Sequence, residues 1–419
     1  MRATWQPIVE GELARLAARA IDEICEALLA APATPDGLSL ACGGTGAALF
    51  LAYAGAARES PQLLDAADEL LDRGVDALET TSLPPGLHDG FAGLAWAIEH
   101  LDRQGGDEDR NDELDRCLLA HTARSPWRGS DDLIRGLVGL GVYALERVHR
   151  PQGRALLAQI VDRLGELAQR PSAGITWFRP ADQLNAWKQR LYPAGCHDLG
   201  MAHGVPGVIA LLAACVEHEV SPSSARALLE GGVAWLLAQR PPSGTFDEVV
   251  APGRLPRATR LAWCYGDPGV AAALLLAGRA AGQPSWQDAA ITLMRSAAQR
   301  PAERSGVVDA GLCHGAAGLA HMFNRFFQAT GIAELRDAAR RWIEHVLASR
   351  APGSGIAGFR VHHRDPDRPE RVEWRADPGL LEGAAGIGLA LLAATTAIEP
   401  AWDRVLLLSY RDRVPLRDA

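Results

Sequence analysis

Apolar residues run almost unbroken through seven stretches of the chain, and each stretch opens at a glycine pair of the form Gly-x-x-Gly. The pairs are Gly43/Gly46, Gly90/Gly93, Gly136/Gly139, Gly204/Gly207, Gly266/Gly269, Gly315/Gly318 and Gly383/Gly386, spaced 47, 46, 68, 62, 49 and 68 residues apart. Ala47-Ala-Leu-Phe-Leu-Ala52, Val208-Ile-Ala-Leu-Leu-Ala-Ala214 and Val270-Ala-Ala-Ala-Leu-Leu-Leu-Ala277 are typical of these apolar runs. A helix apolar on every side must be surrounded by protein. The intervening segments read differently. Glu12 to Ala30 puts Leu13, Leu16, Ile21, Ile24 and Leu28 on one side and charges on the other. Similar helical periods run over about 61–78, 152–168, 223–239, 284–299 and 334–349. These are amphipathic helices with one face buried.

A motif recurring at this interval marks one supersecondary unit per repeat. Here the unit is an amphipathic outer helix, a loop, a glycine turn and a buried inner helix. Seven such hairpins in sequence predict an all-α fold, an α/α toroid with an inner and an outer ring of helices. The two glycines of a pair share one face of the inner helix start. Lacking Cβ atoms, they let seven loops crowd at one end of the ring. Residues just before each pair therefore converge on the axis. The pattern predicts one toroid domain over residues 1–419. Residues 171–199 interrupt it: Ala173-Gly-Ile-Thr-Trp-Phe-Arg-Pro180 reads as a short strand bounded by Gly and Pro, so an inserted β-containing subdomain is expected there. Gly358-Phe-Arg-Val-His-His363 and Val372-Glu-Trp374 predict a β-hairpin. Residues 241–260 read as a Pro/Gly-rich loop and 102–113 as a charged linker. Trp402 to Leu408 is expected to close the last hairpin against the first.

Composition narrows the function classes. A formal charge of −9 argues against nucleic acid as the main partner. Seven cysteines, an odd number in a long chain, fit metal or thiol chemistry in a reducing, cytoplasmic setting better than a disulfide framework. The start at Met1 shows no signal-peptide pattern. Leu38 to Ala57 is uncharged and has the length of a membrane span. It contains the first glycine turn, however, so it reads as an inner helix and no transmembrane segment is expected. The single lysine, Lys188, stands against many arginines and reads as compositional bias.

Candidate chemistry gathers at the glycine turns. With Gly266 and Gly315 aligned, Cys264 and Cys313 fall at the same place, two residues earlier, and His314 directly precedes Gly315. Two thiolates and an imidazole make a three-ligand zinc set whose fourth position is open, as in catalytic sites. His203 directly precedes Gly204 as His314 does Gly315. It is the candidate general acid or base, because an unperturbed imidazole titrates near neutral pH. Asp131 or Asp132 could cap the third inner helix or orient a catalytic group. His88 and Asp89 lie near the axis by the same repeat argument, and His88 reads as an ordinary polar loop residue. Cys196-His197 reads as irregular loop, and His362 and His363 as hairpin surface.

The motifs Ala202-His-Gly-Val-Pro-Gly207, Trp263-Cys-Tyr-Gly-Asp-Pro-Gly269 and Cys313-His-Gly-Ala-Ala-Gly318, in that order within a sevenfold glycine repeat, resemble those of the lanthipeptide cyclase (LanC-type) family. The resemblance covers essentially the whole chain and is to the standalone form. It implies one zinc per chain on Cys264, Cys313 and His314, a catalytic His203, and supporting roles for Arg260, Tyr265 and Asp132. It also implies a reaction: the thiols of a dehydrated precursor peptide add to its dehydroalanine and dehydrobutyrine residues to form thioether rings. Implied partners are that peptide and a complex with a dehydratase and a transporter. The insert is expected to help bind the peptide's leader segment. LanC-like proteins that bind glutathione and transfer thiols are the alternative. A zinc prenyltransferase-type toroid would want an aromatic-lined barrel, whereas aromatics are 6% of this chain.

Overall fold

The computed structural model describes residues 5–30, 38–102, 109–241, 244–255, 257, 259–365 and 367–409. Fourteen of its α-helices alternate between two rings. The outer helices are α1 (Gly11–Ala30), α3 (Pro61–Leu78), α5 (Asp112–Thr122), α7 (Pro151–Leu167), α10 (Pro222–Ala238), α12 (Pro284–Ala298) and α14 (Ala333–Ala348). The inner ones are α2 (Gly44–Arg58), α4 (Phe91–Leu101), α6 (Leu137–Glu146), α9 (Val205–Glu217), α11 (Asp267–Ala280), α13 (Ala316–Thr330) and α15 (Ala384–Thr395). Four outer helices open on proline, where the missing N–H would have had no partner in the helix. Each inner helix packs on the next, and α15 packs on α2, closing the ring. The unbroken apolar runs have the predicted consequence: every residue of α15 from Ala384 to Ala394 is buried.

Two sequence expectations shift in detail. On α1 the buried stripe is Ala17, Ala20, Ile21, Ile24, Cys25 and Leu28, while Leu16 is 40% exposed, because alanines rather than Leu16 face the inner ring. The third outer helix, α5, begins inside the stretch read as a linker. Its buried face is only Asp115, Leu118 and Thr122, too short and polar to show a period. The rest of that linker, residues 103–108, lies outside the described residues.

The C-terminal segment meets both the first and the last hairpin, Trp402 lining a cleft with Tyr53 of α2 and Leu392 of α15, and it reaches further than expected. Residues Ala401–Leu406 form a 3₁₀ turn that enters the ring of inner helices. Trp263 Nε1 donates to Leu406 O (2.9 Å), Asp403 accepts from His321 of α13 (2.7 Å), and Arg404 meets Glu146 of α6 (3.3 Å). Burial of Trp402, Val405 and Leu406 drives it there. The seam is also closed by contacts among α1, α2 and α15, with Ile8 N and Val9 N donating to Ala394 O (2.9 and 3.3 Å).

Strands are short, as the all-α reading requires. β1 (Ala168–Gln169) pairs antiparallel with β2 (Thr176–Trp177), and β3 (His197–Asp198) with β4 (Val249–Val250). The insert thus carries two-residue strands and a short helix, α8 (Ala186–Leu191), and β3 ties it to the 241–260 loop. The hairpin is present as β5 (Val361–Arg364) and β6 (Val372–Arg375), with His362 opposite Trp374.

The glycine pairs are explained by contact. A Cβ on Gly318 would fall 1.9 Å from Leu312 O, and one on Gly204 would fall 2.0 Å from Asp198 O. Each loop therefore lies directly on the start of its inner helix. The residues two before the first glycine then link loop to loop, except that the third loop donates from Leu133, three before Gly136, and accepts at Ile134. Ala41 N donates to His88 O (2.9 Å), His88 N to Ile134 O (3.1 Å), Leu133 N to Ala202 O (3.1 Å) and Ala202 N to Cys264 O (3.5 Å). Cys264 N continues to Cys313 O (3.4 Å), Cys313 N to Leu381 O (2.6 Å), and Leu381 N returns to Ala41 O (2.8 Å). Seven loops are thus joined in a closed belt of backbone hydrogen bonds.

Candidate metal centre and active site

Belt residues are Ala41, His88, Ile134, Ala202, Cys264, Cys313 and Leu381. The next residue of each loop forms a rim: Cys42, Asp89, Arg135, His203, Tyr265, His314 and Glu382. All seven rim side chains carry a polar or ionisable group. Of the residues expected at the site, Cys264 and Cys313 lie on the belt, and His203, Tyr265 and His314 on the rim. The donor atoms of Cys264, Cys313 and His314 lie within 4.8 Å of one another. A tetrahedral zinc with bonds of about 2.0–2.3 Å sets its ligand atoms about 3.3–3.8 Å apart, so the three need only a small closure to fit. They are the sole such cluster among the described residues. One of the two thiols is favoured as a thiolate, so filling the site with a metal would release the proton left on the other. The Cys264 thiol is pulled well below its ordinary value by the hydrogen bond from Cys313, then by His314 and Arg260, against the opposing effect of burial. Cys313 holds its proton as that donor, and burial raises it further. Arg260 Nη2 lies 4.0 Å from Cys264 Sγ. His314 Nε2 is 3.9 Å from Glu382, a neighbour suited to orient a ligating imidazole.

One loop away stands a second group. His203 Nδ1 faces Asp132 Oδ2 at 2.9 Å. Both kinds of contact weighed for the third loop's acids, to the turn and to a neighbouring side chain, are made by Asp132. Its Oδ1 caps the turn, accepting from Arg135 N (2.8 Å) and Gly136 N (3.0 Å), while Oδ2 orients the imidazole. Burial raises the Asp132 carboxyl, but the His203 hydrogen bond and the charges of His203 and Arg179 outweigh it and hold the group far below the carboxylate range. Asp131 instead pairs with Arg179 (2.7 Å), and burial raises it. Arg179 also donates to His203 O (2.7 Å) and reaches Asp132 Oδ2 at 3.3 Å. It comes from the insert, and its sequence context, Phe178-Arg-Pro180, carried no sign of this.

Tyr265 occupies the rim between His203 and His314. Its hydroxyl donates to Asp198 Oδ2 (2.7 Å) and accepts from Lys188 Nζ (2.6 Å). Burial, then Asp198, keeps the phenol well above its ordinary value, hence protonated. Asp198 belongs to a pattern that alignment of the repeats makes visible. Asp198, Asp309 and Asp377 each stand six residues before a first glycine, and each accepts a backbone N–H two residues on, at 2.9, 3.0 and 2.8 Å.

His88 departs from its reading as a polar loop residue. A belt residue equivalent to Cys264, it is fully buried, with no partner for either ring nitrogen and Trp263 6.2 Å away. Burial pushes its pKa down to about 4, against a smaller upward effect of the Val405 backbone. Asp89 and Arg135 are ion-paired along the rim. His197 is half-buried against Thr176 (3.1 Å), and His362 packs edge-on to Trp374 on the hairpin.

No helix among the described residues is long and apolar enough to cross a membrane. The structure matches that of nisin cyclase with a TM-score of 0.75 at 23% identity, over 94% of this chain and 97% of that one. In sequence the chain is similar to nisin biosynthesis protein NisC of Lactococcus lactis subsp. lactis, at 28% identity over 283 residues, or 62% of this chain and 66% of that protein. It is also similar to "Probable SapB synthase" of Streptomyces coelicolor, at 36% over 121 residues, or 29% of this chain and 12% of that protein. These sequence matches span less than two thirds of either relative's length. The family profile described as lanthionine synthetase C-like protein matches residues 34–407, and the chain belongs to that family.

Proposed function

We propose that the protein is a zinc-dependent lanthipeptide cyclase acting on a dehydrated precursor peptide. The observation that carries this reading is the meeting, on adjacent loops of one belt, of a two-cysteine, one-histidine donor set and a carboxylate-oriented histidine. The family membership and the nisin relative support it.

In the net reaction a peptide thiol adds to dehydroalanine or dehydrobutyrine. A sulfur–carbon bond forms at the β-carbon, the π bond breaks, and the α-carbon takes a proton; nothing is oxidised or reduced. Cys264, Cys313 and His314 would hold one zinc, which supplies a Lewis acid with an open position for a deprotonated substrate thiol. Attack develops negative charge on the carbonyl beside the α-carbon. Arg260, close to Cys264, offers charge-assisted hydrogen bonds to that oxygen. His203 protonates the α-carbon. Asp132 accepts from its Nδ1–H and stabilises the imidazolium, leaving Nε2 as the proton carrier. Tyr265 walls the space between His203 and the donor set. The exposed Trp187 and Leu191 of α8 offer apolar contact for the rest of the peptide; W187A/L191A should weaken peptide binding in a titration, and unchanged affinity excludes them.

The test of the activity is mass spectrometry of a dehydrated peptide before and after incubation, with thiol alkylation. Ring formation leaves the peptide mass unchanged and removes alkylation adducts one thiol at a time. Adducts undiminished by the zinc-loaded enzyme refute the proposal, and conjugation of added glutathione instead would mark the thiol-transfer alternative.

A further inference from the structure

Lys188 is the only lysine in the sequence, and it is not a stray of composition. It lies on α8, within the segment that interrupts the repeat. Its ammonium donates to the Tyr265 hydroxyl at 2.6 Å and lies 3.4 Å from Asp198 Oδ2. The same ammonium sits 4.8 Å from the centre of the Tyr265 ring. Gly200 allows the ring's close approach to the fourth loop: a Cβ there would fall 2.7 Å from the ring's Cε1. The phenol is thus held at its oxygen by two partners and along its ring by two neighbours. Its ring centre lies 6.1 Å from that of His203, and the next residue back is Cys264. The lysine is itself fixed. Asn185 Oδ1 accepts its backbone N–H (2.8 Å), and α8 is tied to the hairpin by Ala186 N to Asp367 Oδ1 (3.0 Å) and Arg190 Nη2 to Asp367 O (3.2 Å).

We propose that Lys188 is a positioning residue for ring formation: from the insert it pins the Tyr265 side chain between His203 and the metal donors. The inference rests on the cyclase reading above. It gives the insert, which already supplies Arg179 to Asp132 and His203, a second part in the centre. A lysine–carboxylate contact at a free surface contributes little, but here Asp198 is buried and the tyrosine oxygen is shared between both charges. Without the ammonium, Asp198 loses the cation that contacts it and Tyr265 one of the two partners that fix its ring. Misplacement of about 1 Å near reacting atoms can cost up to about a hundredfold in rate.

The experiment compares ring formation by wild type, K188M, K188R, Y265F and K188M/Y265F, all zinc-loaded. K188M should lower kcat about tenfold to a hundredfold with KM little changed, and K188R should recover most of the loss. Because the effect runs through Tyr265, K188M should add almost nothing in the Y265F background. A second readout needs no activity. In protein labelled with 13Cζ-tyrosine, the signal missing from Y265F should move in K188M at fixed pH and return toward its place in K188R. A wild-type kcat in K188M, or a K188M effect that persists in full with Y265F, overturns the proposal. If wild type forms no rings, the cyclase reading fails, while an unmoved tyrosine signal in K188M separately refutes the pinning of Tyr265.

Discussion

Two histidines in this ring have the same companions. His203 faces Asp132 at 2.9 Å, with Arg179 on the same carboxylate at 3.3 Å. His321 faces Asp403 at 2.7 Å, and Arg325 Nη2 reaches the other oxygen of that carboxylate at 3.0 Å. In both, burial raises the aspartate and the neighbouring cation and histidine more than offset it; Asp403 is brought down to about 2. What differs is the far side of the imidazole. The His203 side chain is 35% exposed, on the rim, one loop from a metal donor set. The His321 side chain is 0% exposed, packed at a tilt against Trp402 with ring centres 4.5 Å apart, and its Nδ1 has no partner. A histidine–aspartate–arginine arrangement is therefore not a catalytic signature by itself. The first can pass a proton to something; the second can only hold the C-terminal turn in place.

The largest effect should come from removing what the rim histidine has and the buried one lacks. Cys313→Ala should lose most of its zinc and fall below detectable ring formation, whereas Asp403→Asn should keep its zinc. Metal analysis decides, and full occupancy in Cys313→Ala breaks the assignment. Next, His203→Asn should keep zinc and thermal stability while cyclisation slows by about 10²–10⁴-fold. His321→Asn should do the reverse, lowering Tm and sparing kcat of the folded protein. Loss of zinc in His203→Asn would make it a ligand instead. A smaller effect is expected of Asp403→Asn on stability. Removing one partner of a buried pair costs about 3–5 kcal/mol, and the lower end applies because Arg325 keeps Glu399; urea unfolding measures it.

The smallest effect is on pH. The Asp403 carboxyl titrates at about 2 in the fold against 3.8 as its ordinary value, so the folded state binds its proton less readily than the unfolded one. The stability this gives is present above pH about 4 and is lost as pH falls from about 4 to about 2, amounting to roughly 2 kcal/mol. Asp403→Asn should flatten that part of the acid limb in unfolding curves taken across pH. An acid limb unchanged by the substitution would remove Asp403 as its source.

The ring and its candidate metal donors were legible because a repeat makes distance in sequence irrelevant. Once Gly266 and Gly315 are aligned, Cys264 and Cys313 are neighbours, and the structure brings their donor atoms together. Residues that obey the repeat were visible; those from its interruptions were not. Arg179 and Lys188 come from a segment with no period, and nothing in their local sequence points toward Asp132 or Tyr265. The reach of the C-terminal turn to Trp263 and His321 was not legible for a related reason: its apolar residues announce burial but not every surface that receives them. The repeat also marks His88: its belt position, rather than its polar side chain, tells that it is buried. The aspartates six residues before the glycines lay within reach of the same alignment.

The belt also makes the ring an indexed dial. Each loop presents its two-before and one-before residues at the same setting, so a group defined by setting can be moved by one graduation without new backbone. Cys264, Cys313 and His314 use two consecutive belt settings and one rim setting. The next graduation round offers Cys313, Leu381 and Glu382, and Cys313 N already bonds to Leu381 O at 2.6 Å. A chain carrying Cys264→Ala, Leu381→Cys and Glu382→His should bind zinc again, one seventh of a turn from where it began, and lack of zinc in that folded variant would show the settings to be unequal. Zinc in that variant would make chemistry on such a scaffold addressable, its position a choice of graduation made by side chains.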